Sequence, residues 1–304
     1  TGVRGLNALI TTVTTTKAAP VIVCQRLRKG ACGSPRGAAR MIADTLATLR
    51  RLRPTDSTAA VLVRADSAFY GHRSVGAALR GGAQVSVTVR LDPKVKAAIA
   101  AIGEDAWTPI EYTDAVFDEA SGQWISRAEV AETPFTAFTS KKAAEQVQGR
   151  LVVRRIPDLN PRSTDGQGTL FDTWRFHAFF TTSDADTVTA DATHRGHAII
   201  EQVHADLKNS ALAHLPSGRF TANAAWLVLA VMAFNLTRAA ATLTGPRLAR
   251  ARTATIRRTL ITVPARIAYS ARRLTLHLPR GWPWETAWNT LFNNRFGRNR
   301  PIRA

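Results

Sequence analysis

Between His194 and Lys208 the sequence HRGHAIIEQVHADLK sorts, at about 100° of rotation per residue, into two faces of different chemistry. His194, His197, Glu201, His204 and Lys208 fall on one stripe, and Ile199, Ile200, Val203 and Leu207 on the other. The apolar stripe must be covered, so the segment reads as a helix laid against a larger core. The polar stripe aligns a carboxylate with basic groups, which suits a metal ion and a phosphate; a solvated amphipathic helix carries the same residues.

At 304 residues and 45% hydrophobic content, the chain can bury one large core or two smaller ones. No run of about 18 uncharged apolar residues and no signal-peptide pattern is present, so a cytoplasmic protein with no membrane partner is expected. Cys24 and Cys32 form no CxxC pair and suit a reducing compartment. Forty-one Lys and Arg against 22 Asp and Glu give a formal net charge of +19, a balance that favours a polyanion through counterion release. A high-GC coding composition would also inflate Arg, but the charge is concentrated: from Arg238 to Ala304 there are 14 Arg and one acid, Glu285. Nucleic acid is the expected partner.

Strand and helix signals alternate through the first third of the chain, as in an α/β core. Leu6 to Thr15 and Pro20 to Leu27 are β-rich and pair as a hairpin. Ser34 caps a helix that begins at Pro35 and runs to Leu52. Ala59 to Arg64 suits a strand buried on both faces, and Asp66 stands at its carboxyl end, where open α/β sheets gather ligands. A lone Asp there is also a common turn residue. A helix at Arg73–Leu79 and a strand at Gln84–Arg90 follow.

From Gly103 to Phe171 strand-like pieces alternate with polar turns, a β-rich insertion whose Asp158–Gly168 stretch reads as loop. Thr173–Thr182 is a further core strand. A helix from about Thr221 through Leu236 is apolar on most of its circumference, hence buried, and Gly245-Pro246 ends it. Beyond it, Thr253–Thr262, Ala265–Tyr269 and Arg272–Leu278 look like short Arg-bearing strands, and Trp282, Trp284 and Trp288 either anchor the tail or stack on bases.

These residues resemble the DDE transposases of bacterial insertion sequences, in the IS-thirteen-eighty branch related to the IS-four type. The resemblance rests on Asp66 in VLVRADSAF, on Glu201 with Lys208 seven residues later, and on His214–Leu236 (HLPSGRFTANAAWLVLAVMAFNL). It implies a ribonuclease H-like core with a β-rich insertion between Asp66 and Glu201, to which the α/β alternation and the Arg-rich C-terminal tail read above are added. The parts are expected at 1–102 and 171–244 for the core, 103–170 for the insertion, and 245–304 for the DNA-binding tail.

The resemblance further implies DNA cleavage and strand transfer with two Mg²⁺ ions, for which Mn²⁺ substitutes. Asp66 and Glu201 are then the catalytic and metal-binding carboxylates, with their carboxyl groups under roughly 8 Å apart. Lys208, His197, His194 and Arg195 would contact DNA phosphates, and Arg257, Arg258, Arg272 and Arg273 would carry the tail's contacts. The family's Tyr and Arg upstream of the Glu fall here at His194 and His197, and His is a weaker, pH-dependent substitute for Arg. The family's first Asp has no counterpart, because no acid precedes Asp44. The expectation is therefore a chain truncated at its N-terminus, lacking the first core strand and inactive in transposition. Its partners would be double-stranded DNA at terminal repeats and target sites, with a homodimer open. Two other readings stay open: a non-catalytic DNA-binding remnant of the same ancestry, and an unrelated basic α/β nuclease or RNA-binding protein.

Overall fold

The computed structural model describes residues 5–119, 122–157 and 174–296. The chain begins with strands β1 (Leu6–Val13) and β2 (Val21–Lys29), rich in β-branched residues and paired antiparallel from Leu6↔Lys29 to Val13↔Val21. Helix α1 (Ala38–Leu52) follows. It starts later than its Ser-Pro signature predicts: Ser34–Gly37 forms a turn, and Gly37 takes φ 87°, a left-handed conformation that glycine adopts without steric cost.

Next come β3 (Leu62–Ala65), α2 (His72–Arg80), β4 (Gln84–Thr88) and α3 (Pro93–Ala100). The last is capped by Asp92, whose carboxylate accepts the Val95 N–H at 2.9 Å. Three long strands, β5 (Thr108–Asp118), β6 (Gln123–Ala137) and β7 (Val147–Pro157), lead to β8 (Trp174–Thr181) and α4 (Thr187–Arg195). The predicted loop Asp158–Gly168 and Thr173 lie outside the described residues. The remaining elements are α5 (Ile199–Lys208), α6 (Phe220–Thr244), α7 (Pro246–Ala249), α8 (Thr253–Ile256), β9 (Arg266–Ser270), β10 (Arg273–His277) and α9 (Glu285–Phe296).

The chain divides into two compact units: Gly33–His197, and the segments Thr1–Cys32 and Ala198–Ala304 together. The first unit is a mixed α/β body around a six-stranded sheet of order β3-β4-β8-β7-β6-β5. Only β3 and β4 run parallel; every other pairing is antiparallel. The strands between Gly103 and Pro157 thus extend one sheet with β3, β4 and β8. Val85, Val87, Leu151, Val153 and Phe180 form its core with Val75, Val95 and Ile99 from the helices. β3 is an edge strand with half-buried residues, not the doubly buried strand its apolar run suggests.

In the second unit, Ile22 and Leu27 of the hairpin pack with Val203 and Leu207 of α5 and with Leu227, Val231 and Phe234 of α6. Asn235 fixes α6 to β2 by accepting the Ile22 N–H at 2.9 Å and donating to the Ile22 carbonyl at 2.7 Å. α6 is long and apolar enough to cross a membrane by length and composition. It is buried on one side only. Leu229 (57% exposed), Met232 (54%) and Leu236 (68%) face outward, so the buried circumference expected from the sequence is only half present.

A satellite cluster of Ala241, Leu248, Ile256 and Leu260, joined by Trp288 and Leu291, packs the C-terminal region onto α6. Thr253–Ile261 is helical rather than a strand: α8 runs into a π-helical turn, Arg257–Ile261, because Thr253, Ile256, Thr259 and Leu260 bury one helical face. β9 and β10 fall on two of the expected short strands and pair with each other antiparallel. Cross-strand pairing puts Leu274 opposite Tyr269 and Leu276 opposite Ile267, and all four side chains are exposed.

Candidate active-site carboxylates and an arginine-walled cleft

Asp66 follows β3 directly, at the carboxyl end of the sheet's parallel pair. It is exposed, and its Oδ1 accepts the Ala68 N–H at 2.8 Å, capping a single 3₁₀ turn over Ser67–Phe69. Local capping thus explains the residue's geometry by itself. Asp66 belongs to the first unit and Glu201 to the second.

The segment His194–Lys208 is not one helix. α4 ends at Arg195, Gly196–Ala198 forms a 3₁₀ turn, and α5 begins at Ile199. Within the first unit, the His194 ring is buried, stacked 4.0 Å from Phe179. Both of its nitrogens are engaged, with Ser86 Oγ at 2.8 Å and Thr88 Oγ1 at 3.0 Å. Burial, then the charges of His197, Arg154 and Arg64, push its pKa down to about 3. A buried neutral ring of α4, held against β4 through both nitrogens, cannot serve as a cationic phosphate contact, which corrects the expectation for His194. Arg195 donates from Nε to Asp191 at 2.8 Å, and Arg154 reaches the same buried carboxylate at 2.7 Å. The half-buried His197 turns Nδ1 toward the His194 carbonyl at 2.6 Å.

In the second unit α5 keeps its two faces: Val203 and Leu207 are buried, while Glu201, His204 and Lys208 are exposed. Glu201 opens onto a cleft of about 450 Å³ whose other wall is formed by Arg252, Thr253 and Arg257. Beneath it lies a network that the sequence does not announce. Asp206, buried on α5, accepts from Arg238 Nη2 of α6 at 2.6 Å, from Thr253 Oγ1 at 2.9 Å and from the Thr253 N–H at 3.2 Å. The Arg238 side chain is 2% exposed and also donates to the Ala251 carbonyl. An Asp on an amphipathic helix reads as a solvated charge, and the one signal of its burial was an Arg inside the apolar run of α6.

The four tail arginines separate. Arg257 lines the cleft, Arg258 lies over the Trp284 ring at 6.0 Å, and Arg272 and Arg273 sit exposed at the turn of the β9–β10 hairpin. Trp288 packs against the satellite cluster, in keeping with the anchoring alternative for the tail tryptophans. Among the described residues no three His, Cys, Asp or Glu side chains cluster as a metal site.

The first unit is a mixed α/β body with an exposed carboxylate at the end of its parallel strand pair, and the second presents an exposed carboxylate to a cleft lined by two arginines. The sequence profile of the transposase DDE domain, group 1, matches residues 17–296, and the chain belongs to that family. DDE-domain transposases act on DNA and use divalent metal ions. No curated protein matches the chain.

Two outcomes follow from the buried polar groups. Asp206→Ala leaves the Arg238 charge uncompensated and is expected to cost about 3–5 kcal/mol, read from the urea midpoint, whereas the double variant Asp206→Leu/Arg238→Met should recover most of that loss. His194 has a folded pKa far below its ordinary value of 6.5, so the unfolded chain binds the extra proton first. Its contribution to stability is complete above pH 6.5 and declines as pH falls toward about 3, with a slope approaching about 1.4 kcal/mol per pH unit. Denaturant titrations between pH 6.5 and 5 should show this slope in the parent and a flatter one in His194→Gln.

Proposed function

We propose that the chain is the catalytic region of a DNA transposase of the IS-thirteen-eighty branch, built on a ribonuclease H-like core, with Asp66 and Glu201 as its metal-binding carboxylates. The observation that carries this reading is Glu201, an exposed carboxylate on a cleft whose facing wall bears Arg252 and Arg257, in a chain of the DDE family. Position supports Asp66 as well, since catalytic ligands gather at the carboxyl ends of parallel strands.

The donor set fits a hard divalent cation in kind. Both carboxylates are exposed, and such oxygens are the ligands that Mg²⁺ takes. Bound there, Mg²⁺ would activate the attacking hydroxyl and stabilise the leaving oxygen of an in-line phosphoryl transfer. The protein's own part is positional: Asp66 is fixed by its turn, and Glu201 stands on a helix locked by Asp206. Lys208, two turns beyond Glu201 on the same exposed face, holds a phosphate, and the exposed Arg272 and Arg273 add contacts along the duplex. The division into core (1–102 and 171–244), insertion (103–170) and tail (245–304) belongs to this proposal, as does a cytoplasmic site of action.

Mg²⁺-dependent strand cleavage of duplex DNA tests the chemistry. Asp66→Ala or Glu201→Ala should abolish it without weakening duplex binding in EDTA. Cleavage that survives Asp66→Ala, or the absence of Mg²⁺-dependent cleavage by the parent, rejects the catalytic assignment. Duplex affinity should also fall steeply with salt, and Arg272→Ala/Arg273→Ala should flatten the log–log slope by about 1 to 2, because each phosphate left unneutralised by the protein removes about 0.9 from it.

A further inference from the structure

The cleft beside Glu201 holds two cations, Arg252 and Arg257. Arg252 and Arg257 are exposed, and among the described residues neither guanidinium has an ion pair or a hydrogen-bond partner. Elsewhere in this unit a buried arginine is matched: Arg238 is paired with Asp206. That pairing also consumes the other carboxylate lining the cleft, so Glu201 alone faces two positive charges.

The arginines are held in place by the fold. Arg252 immediately precedes α8, and the next residue, Thr253, is clamped through both its N–H and its hydroxyl to Asp206. Arg257 opens the π-helical turn, closed by the Thr262 N–H on the Arg257 carbonyl at 2.8 Å. Such turns recur at functional sites because they re-aim side chains. Asp206 sits five positions along α5 from Glu201, so one helix carries both the acidic wall and the anchor of the basic one.

We propose that Arg252 and Arg257 form a phosphate-binding wall that holds a DNA phosphodiester against the cleft next to Glu201. This deepens the transposase reading and rests on it for the identity of the polyanion. The chemistry is that of paired guanidinium groups, whose planar donors match phosphate oxygens. The position differs from that of Lys208: these arginines come from the C-terminal region and face the carboxylate across an open space.

The test is a double-mutant cycle on duplex DNA binding by the full chain in EDTA, where only the protein's own charges act. Arg252→Ala/Arg257→Ala should weaken binding about tenfold or more at low salt and lower the salt slope by about 1. Glu201→Gln should tighten binding up to about fivefold in the parent, the size of one exposed charge interaction, and leave the arginine double variant unchanged. Equal tightening in both backgrounds, or no loss on removing the arginines, overturns the proposal. A parallel titration with inorganic pyrophosphate separates sources: arginine-dependent binding of pyrophosphate without arginine-dependent DNA binding would make the cleft a site for small phosphates and overturn the DNA assignment. Unaltered melting temperatures check folding, and Arg257→Gln alone provides a milder variant. Because this assay needs neither metal nor cleavage, a catalytically silent chain that passes the cycle would retain the phosphate wall while losing the transposase mechanism.

Discussion

The Asp206–Arg238 ion pair is the constraint around which the C-terminal unit is organised. It joins α5 to α6, and through Thr253 it also fixes the entry to α8. Burying two charges is expensive, and their attraction repays the cost only when the remaining hydrogen-bond capacity is used. Here Asp206 accepts three hydrogen bonds. Such a pair contributes less to net stability than to uniqueness: α6 is otherwise so apolar that it could rotate about its axis and still bury leucines. A charged side chain with one acceptor site removes that freedom. Asn235, bonded to both backbone groups of Ile22 one turn away, acts in the same sense.

The first unit solves a related problem inside its sheet. His194 and Asp191 are polar groups of α4 placed beneath strands, and each is satisfied from the sheet: Ser86 and Thr88 of β4 serve the imidazole, and Arg154 of β7 serves the carboxylate, which Arg195 of α4 itself also meets. These contacts hold α4 against the sheet. Its last residues lead into the turn where the second unit begins.

Elements whose signals are local were legible in the sequence. The β1–β2 hairpin, α2, β4, β8 and the strands β9 and β10 all follow from alternation or helical periodicity within a few residues. Asp66 at a strand end and Glu201 on an exposed helical face were legible for the same reason. Errors arose where a distant partner decided. The Ser34-Pro35 signature yielded to a left-handed Gly37, and the β-branched run Thr253–Thr262 became helical because its apolar face meets α6. His194 shares a stripe with Glu201 on an ideal helix, but the helix breaks between them. Asp206 was invisible because its partner lies 32 residues away, and no local pattern distinguishes a buried Asp from a solvated one.

The β9–β10 hairpin exposes Ile267, Tyr269, Leu274 and Leu276 on one side of an isolated two-stranded ribbon, while its turn carries Arg272 and Arg273. The two ends of this element respond to electrolytes in opposite directions. Concentrated sulfate strips polyanions from guanidinium groups but strengthens apolar association. In a preparation cleared of cellular nucleic acid by salting, this ribbon therefore becomes an adhesive surface. A chaotropic or mildly denaturing wash, which weakens both attractions, is the physically consistent route to a clean and dispersed protein.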